Sequence, residues 1–141
     1  MDGPYETDVL EWSERQASIP RRVAAGEPGT EAPDWANIIE EVEDVGRSQL
    51  TAVRSLLVQA FTHKLKCQAW PDAPYVPHWQ AEARGVRADA ADAFTPSMRQ
   101  RIDVGALNQR AMDRLPETVD GQPPPPVPQE CPVTLDEMLG S

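Results

Sequence analysis

Glu40, Glu43 and Arg47 are the residues whose types and spacing most readily suggest chemistry. On a helical wheel all three fall opposite the apolar residues Ile38, Val42 and Val45. Glu43 and Arg47 stand four apart in acid-first order, an arrangement that contributes about 0.2–0.5 kcal/mol as an exposed pair. Such a cluster either forms a solvated face with one salt bridge or receives a partner or a divalent cation through its oxygens. The solvated face is the simpler reading, because exposed pairs add little stability.

His63 lies at the edge of the apolar stripe on the same segment, where a lone histidine is usually a packed, hydrogen-bonded residue. Cys67 follows four residues later, so the two can meet on one helix face as a base-activated thiol requires. A thiol near a helix end is more commonly a small apolar filler. Neighbouring Lys66 adds a cation but does not by itself make a nucleophile. A di-iron bundle needs Glu-x-x-His on two helices. Here Ala60 precedes His63 and Tyr75 precedes His78, so both halves of that signature are absent. The chain also lacks Gly-x-Ser-x-Gly, the Gly-x-x-x-x-Gly-Lys phosphate loop and Gly-x-Gly-x-x-Gly. No cofactor is expected, no metal ligand is assigned, and no residue is named as catalytic. Arg84, Arg87, Arg99, Arg101, Arg110 and Arg114 can form a positive surface that faces either the acidic first third of the chain or an anionic partner.

These side chains must be positioned by helices, since β-branched alternation is scarce and helical periodicity recurs. A first helix is expected to start at Thr7 or Asp8, both good N-caps, and to end at Pro20. Arg21 to Pro33 reads as a glycine- and proline-rich loop. Asp34 caps a long segment in which Trp35, Ile38, Ile39, Val42 and Val45 form a stripe. Leu50, Val53, Leu56, Leu57, Ala60 and Phe61 continue it. Unbroken to Gln68 it spans about 50 Å, and Gly46 is the expected place for a kink or break. Three prolines between Trp70 and Pro77 interrupt helical structure. A third helix runs from Pro77 to Ala93 with Trp79, Ala83, Val86 and Ala90 inward. A fourth starts at Thr95-Pro96 and carries Met98, Ile102, Ala106 and Leu107 inward to Leu115. Pro123 to Pro126 opens a semi-rigid tether. Thr134-Leu135-Asp136-Glu137 is a capping box for a short terminal helix. The four tryptophans are expected to anchor the core.

The chain has 141 residues, a length that supports one self-sufficient core. Its net charge of −10 is segregated: −9 over residues 1–45, +4 over residues 46–115 and −5 over residues 116–141. That overall sign disfavours a dedicated nucleic-acid binder. No apolar run is long enough to span a membrane. Only Cys67 and Cys131 are present, so a disulfide scaffold is not expected and a reducing cytoplasm is the natural location.

Five stretches, in order, carry a resemblance. They are Tyr5-Glu6-Thr7-Asp8 with Trp12; Asp34-Trp35-Ala36-Asn37-Ile38-Ile39-Glu40-Glu41-Val42-Glu43-Asp44-Val45-Gly46-Arg47; His63-Lys64-Leu65-Lys66; Thr95-Pro96-Ser97-Met98-Arg99; and Glu130-Cys131-Pro132-Val133-Thr134-Leu135. Together they resemble the bacterial family known as domain of unknown function 29, over nearly the whole chain. The resemblance implies a compact all-helical protein and no established activity. Lys64 stands where leucine is usual in that family, and Val133 where tryptophan is usual.

The expected fold is therefore all-α, a bundle of about four helices over residues 1–118. A proline-rich tail over 119–141 follows, its short helix packing back on the bundle. The expected function is a non-catalytic interaction module that binds another protein or itself. Its binding candidates are Glu40, Glu43, Arg47, His63, Lys66 and Arg84. One alternative is a small metal-dependent or acid/base enzyme using Glu40, Glu43 and His63. The other is nucleic-acid binding through the central arginines.

Overall fold

A computed structural model describes residues 3–26, 34–124 and 133–140. Among them the helices are α1 (Pro4–Thr7), α2 (Val9–Ala25), α3 (Trp35–Ala69), α4 (Val76–Ala93), a 3-10 helix (Pro96–Arg101), α5 (Val104–Asp113) and α6 (Leu135–Leu139). The all-α expectation holds. The single β-bridge among the described residues joins Val119 to Gln122 and belongs to a turn. The remainder of the expected loop and tether, including Pro28, Gly29, Pro33, Pro125, Pro126, Pro128, Cys131 and Pro132, lies outside the described residues.

The chain divides into two compact units. The first comprises Met1–Thr51 with Thr95–Arg101. Asp8 caps α2, its carboxylate accepting from the Glu11 amide at 3.0 Å. Leu10, Ser13 and Ala17 then recur at helical spacing and are buried. The helix continues through Pro20 to Ala25, against the expectation that it would stop there. Proline removes one backbone donor, and the turns before it are already fixed by the Asp8 cap and the buried face. The chain does not break at Gly46, since α3 is one helix over Trp35–Ala69. Gly46 instead lets α2 approach: a β-carbon there would lie 2.2 Å from Ser13 Oγ and 2.8 Å from Leu10 Cδ1. The stripe expected over the first half of α3 is only partly covered, and Ile38 and Val45 are exposed.

The second unit comprises Ala52–Phe94 with Ile102–Ser141. Its core holds Val53, Leu57, Val58, Ala60, Phe61 and Leu65 from α3, with Ala90 of α4 and Leu107 and Ala111 of α5 also buried. Trp70 and Trp79 pack with Ala69, as expected of core tryptophans. Trp12 and Trp35 are only half-buried. The expected fourth helix is two helices. Thr95-Pro96 opens the 3-10 helix, and Asp103 opens α5 by accepting from the Ala106 amide at 3.2 Å. A side-chain oxygen three residues before an amide is a start signal in its own right, and it divides the segment at Ile102.

Two features close this unit. Asp120 and Gly121 both have positive φ, 52° and 78°, the two-residue turn that asparagine, aspartate and glycine favour. It is fixed by the Trp70 indole, which donates to the Gln122 carbonyl at 2.8 Å, and by the Tyr75 hydroxyl, which donates to Asp120 at 3.1 Å. The α6 cap forms as expected, with the Glu137 amide donating to Thr134 Oγ1 at 3.2 Å. Arg87 of α4 donates to the carbonyls of Glu137 and Met138 at 2.8 and 2.9 Å, and Leu135 and Met138 are buried. Cations suit the C-terminal carbonyls of a helix, so Arg87 holds α6 by its polar end while two apolar side chains seat it.

Candidate functional site

The first unit assembles the acidic candidates into a charged patch. Arg47 Nη1 lies 3.8 Å from Glu43 Oε2, and its Nε donates to Asp44 Oδ1 at 2.9 Å. Arg21 of α2 pairs with Glu43 from the other side. The Arg47 guanidinium is held above its ordinary pKa, first by the Asp44 hydrogen bond and then by the charges of Asp44, Glu43 and Glu40. Glu40, Glu43 and Arg47 therefore act on one another as the spacing implies. Asp44 and Arg21, which the wheel did not single out, complete the patch. Asp44 is readable as an i,i+3 partner of Arg47, whereas Arg21 belongs to another helix and has no local signal. Glu43 and Asp44 are half-buried and Arg47 is exposed, so the patch is open to water.

His63, Lys66 and Arg84 belong to the second unit. The imidazole of His63 is half-buried and its Nδ1 has no hydrogen-bond partner. Burial, then the Lys66 charge, lowers its pKa. Lys66 Nζ sits 5.6 Å from the Trp79 ring centroid, a cation–π contact. Burial pushes the Cys67 thiol up from its ordinary value, the reverse of what an activated nucleophile needs. Nineteen helical residues separate Glu43 from His63, and the two belong to different units. Among the described residues no group of three or more His, Cys, Asp or Glu side chains is placed to hold a metal ion.

A pH dependence follows from His63. Its folded pKa lies below the ordinary 6.5, so the unfolded chain binds the proton more readily. The stability that neutral His63 supports is complete above pH 6.5 and falls as acid brings the solution down through the folded value. Urea midpoints measured between neutral and mildly acidic pH are expected to fall less steeply in His63→Gln than in the wild type. Equal slopes would show that this imidazole does not titrate differently on folding.

The arginines are divided between the units, Arg99 and Arg101 in the first and Arg84, Arg87, Arg110 and Arg114 in the second. Arg101 pairs with Glu14 of α2 at 2.6 Å, within the first unit. Arg87 is engaged by α6. Arg84 lines a cleft of about 720 Å³ in the second unit, bounded by the C-terminal half of α3, α4 and α6. Lys64 and Cys67 of α3 face the same space.

Comparison with known proteins agrees with this helical architecture. The family described as Domain of unknown function DUF29 matches residues 4–141. The chain belongs to this family. The DUF29 chain is also similar to a solved structure, an alpha-helical protein of unknown function from Rhodospirillum rubrum. The two are 28% identical with a TM-score of 0.83, over 99% of this chain and 90% of that one. No curated protein matches the DUF29 chain. Among its described residues no helix is long and apolar enough to cross a membrane.

Proposed function

We propose that this protein is a non-catalytic interaction module, acting in a reducing cytoplasm, that engages another protein or a second copy of itself through the first unit. The observation that carries this reading is the set of branched apolar side chains left at the surface of α2 and α3. Ile19 and Val23 stand one turn apart on α2, and Ile38 and Val45 two turns apart on α3; all four are exposed. Exposed apolar side chains repeated along a helix face, with charged groups beside them, suit a contact surface with an apolar centre and a polar rim. Arg21, Glu43, Asp44 and Arg47 supply charges of both signs on the same two helices, and such charges set partner choice more than affinity.

The test compares the wild-type chain with Val23→Ser/Val45→Ser and with Glu40→Ala/Glu43→Ala/Arg47→Ala. Sedimentation reads self-association, and capture from an extract of the source organism reads a partner. A dimer, or one stoichiometric partner, that the folded apolar variant loses supports the module and places its surface. The charge variant is expected to weaken that association with little change in stability, since exposed ion pairs contribute about 0–1 kcal/mol. A monomer that captures nothing stoichiometric overturns the reading.

A further inference from the structure

We propose that the cleft of the second unit binds a small organic anion bearing a phosphate or carboxylate group. This site is separate from the surfaces on α2 and the first half of α3, and it does not rest on the interaction reading.

The charges that line the cleft support this assignment. Among the described residues, Lys64, Arg84 and Arg87 meet a single acid there, Glu137. Glu137 accepts from the Thr134 hydroxyl at 3.2 Å, within the cap of α6. Arg87 is committed to the last carbonyls of α6. Lys64 and Arg84 remain, and neither makes a hydrogen bond or ion pair among the described residues. The chain has 23 acidic and 13 basic side chains, so acids to neutralise them are plentiful. Two cations that line one cleft and have no ion-pair partner among the described residues repel each other and attract an anion that bridges them.

The shape of the cleft agrees with its charge. On α3, Ala60, Lys64 and Cys67 recur at i, i+4 and i+7, and on α4, Gln80, Arg84 and Arg87 do the same. Each stripe sets a small or polar residue beside a cation. Ala60 is buried and Cys67 and Ala83 are half-buried, so short side chains form the floor. Gln80 and Arg84 are exposed and stand at the rim, with Lys64 half-buried between. Short floor residues between two helices leave the space of about 720 Å³ that larger ones would fill. That volume lies in the range of about 300–1,000 Å³ typical of small-ligand sites, which combine an apolar lining with a few converging polar groups. The buried Met138 of α6 supplies apolar surface on the remaining wall. The guanidinium of Arg84 presents the fork that pairs two oxygens of a phosphate or carboxylate, and Lys64 supplies a point charge. A ligand with two anionic oxygens and a hydrogen-bonding body, able to use Gln68 and Gln80, satisfies all of these groups.

The experiment titrates pyrophosphate and, separately, citrate into the full chain at low salt. Amide shifts of the backbone and of Gln68 and Gln80 are followed by NMR. Saturable shifts confined to the cleft are expected with at least one probe, and the probe that binds tells phosphate from carboxylate recognition. Lys64→Gln/Arg84→Gln is expected to weaken that binding about tenfold or more, equivalent to about 1.4 kcal/mol. Arg110→Gln/Arg114→Gln, cations outside the cleft, should leave it unchanged. Arg84→Gln alone alters one exposed side chain and keeps the comparison valid should the double variant unfold. Absence of a saturable shift with both probes overturns the proposal. So does binding by Lys64→Gln/Arg84→Gln within about twofold of the wild type.

Discussion

Gly46→Ala is expected to destabilise the protein by about 3 kcal/mol, although alanine is the better helix former by about 1 kcal/mol. The reason is distance. A β-carbon at residue 46 would meet Ser13 Oγ at 2.2 Å, Leu10 Cδ1 at 2.8 Å and the Leu10 Cα at 3.1 Å. The Ser13 hydroxyl has nowhere easy to turn, because it donates to the Leu10 carbonyl at 3.0 Å and is fully buried. One of the three atoms is backbone, so rotamer change alone does not relieve the overlap and α2 must move away from α3. Gly85 provides the matched control. It is also inside a helix, and a β-carbon there meets nothing within 4 Å. Gly85→Ala should stabilise by about 0.5–1 kcal/mol through propensity and unfolded-state entropy. Urea unfolding of the two variants should move the midpoint in opposite directions. A neutral Gly46→Ala would mean that α2 and α3 are not packed at this distance.

The same pair of glycines shows where the sequence is legible and where it is not. Both carry the same local cost, and local cost alone marks Gly46 as a place for a kink or break. What distinguishes them is which atoms of a distant helix arrive beside them, and no single-helix pattern contains that. Pro20 is similar: its missing donor is visible in the sequence, but the stability of the turns before it depends on the burial of Leu10, Ser13 and Ala17. The stretch of α3 from Leu50 to Phe61 is readable because Leu50, Val53, Leu57 and Phe61 repeat at helical spacing and are covered. Ile38 and Val45 repeat as well, yet periodicity reports an apolar face without reporting whether anything lies on it. The break at Ile102 was hidden by a strong neighbour, since Thr95-Pro96 starts a helix so clearly that the second cap at Asp103 was absorbed into it.

The functional groups follow this division. Glu43 and Arg47 are partners by spacing, and the contact forms. Arg84 was visible as a cation, but its cleft requires α3, α4 and α6 to be brought together across more than seventy residues of chain. Lys64 stands where the family usually has leucine, next to the apolar stripe that runs through Leu57, Ala60 and Phe61. It lies at the flank of that stripe, half-buried, where a long side chain covers apolar surface and delivers its charge to the cleft.

Asp8→Ala should cost about 3–4 kcal/mol, more than a helix cap alone, which contributes about 1 kcal/mol. The carboxylate is buried and serves two elements at once. Oδ1 accepts from the Glu11 amide at 3.0 Å and from the Ser97 hydroxyl at 2.7 Å, and Oδ2 accepts from the Ser97 amide at 2.8 Å. One side chain thus caps α2 and fixes the start of the 3-10 helix, 89 residues away in sequence. Asparagine is as good a cap as aspartate, so a purely local role predicts that Asp8→Asn is almost silent. The geometry predicts otherwise. Its amide nitrogen would face the Ser97 N–H, donor against donor, and a loss of about 1–2 kcal/mol is expected. The pH dependence separates the roles further. Burial raises the Asp8 pKa, but hydrogen bonds from Glu11 and Ser97 outweigh it and the net shift is downward from 3.8. The resulting stability is complete above pH 3.8 and is lost as pH falls through the lower folded value. The gap between wild type and Asp8→Asn should therefore close in acid. A double-mutant cycle of Asp8→Ala with Ser97→Ala should show a coupling of about 1 kcal/mol or more, as groups in one hydrogen-bond network do. Strict additivity would reduce Asp8 to a cap and leave the placement of the 3-10 helix to the buried Met98 beside it.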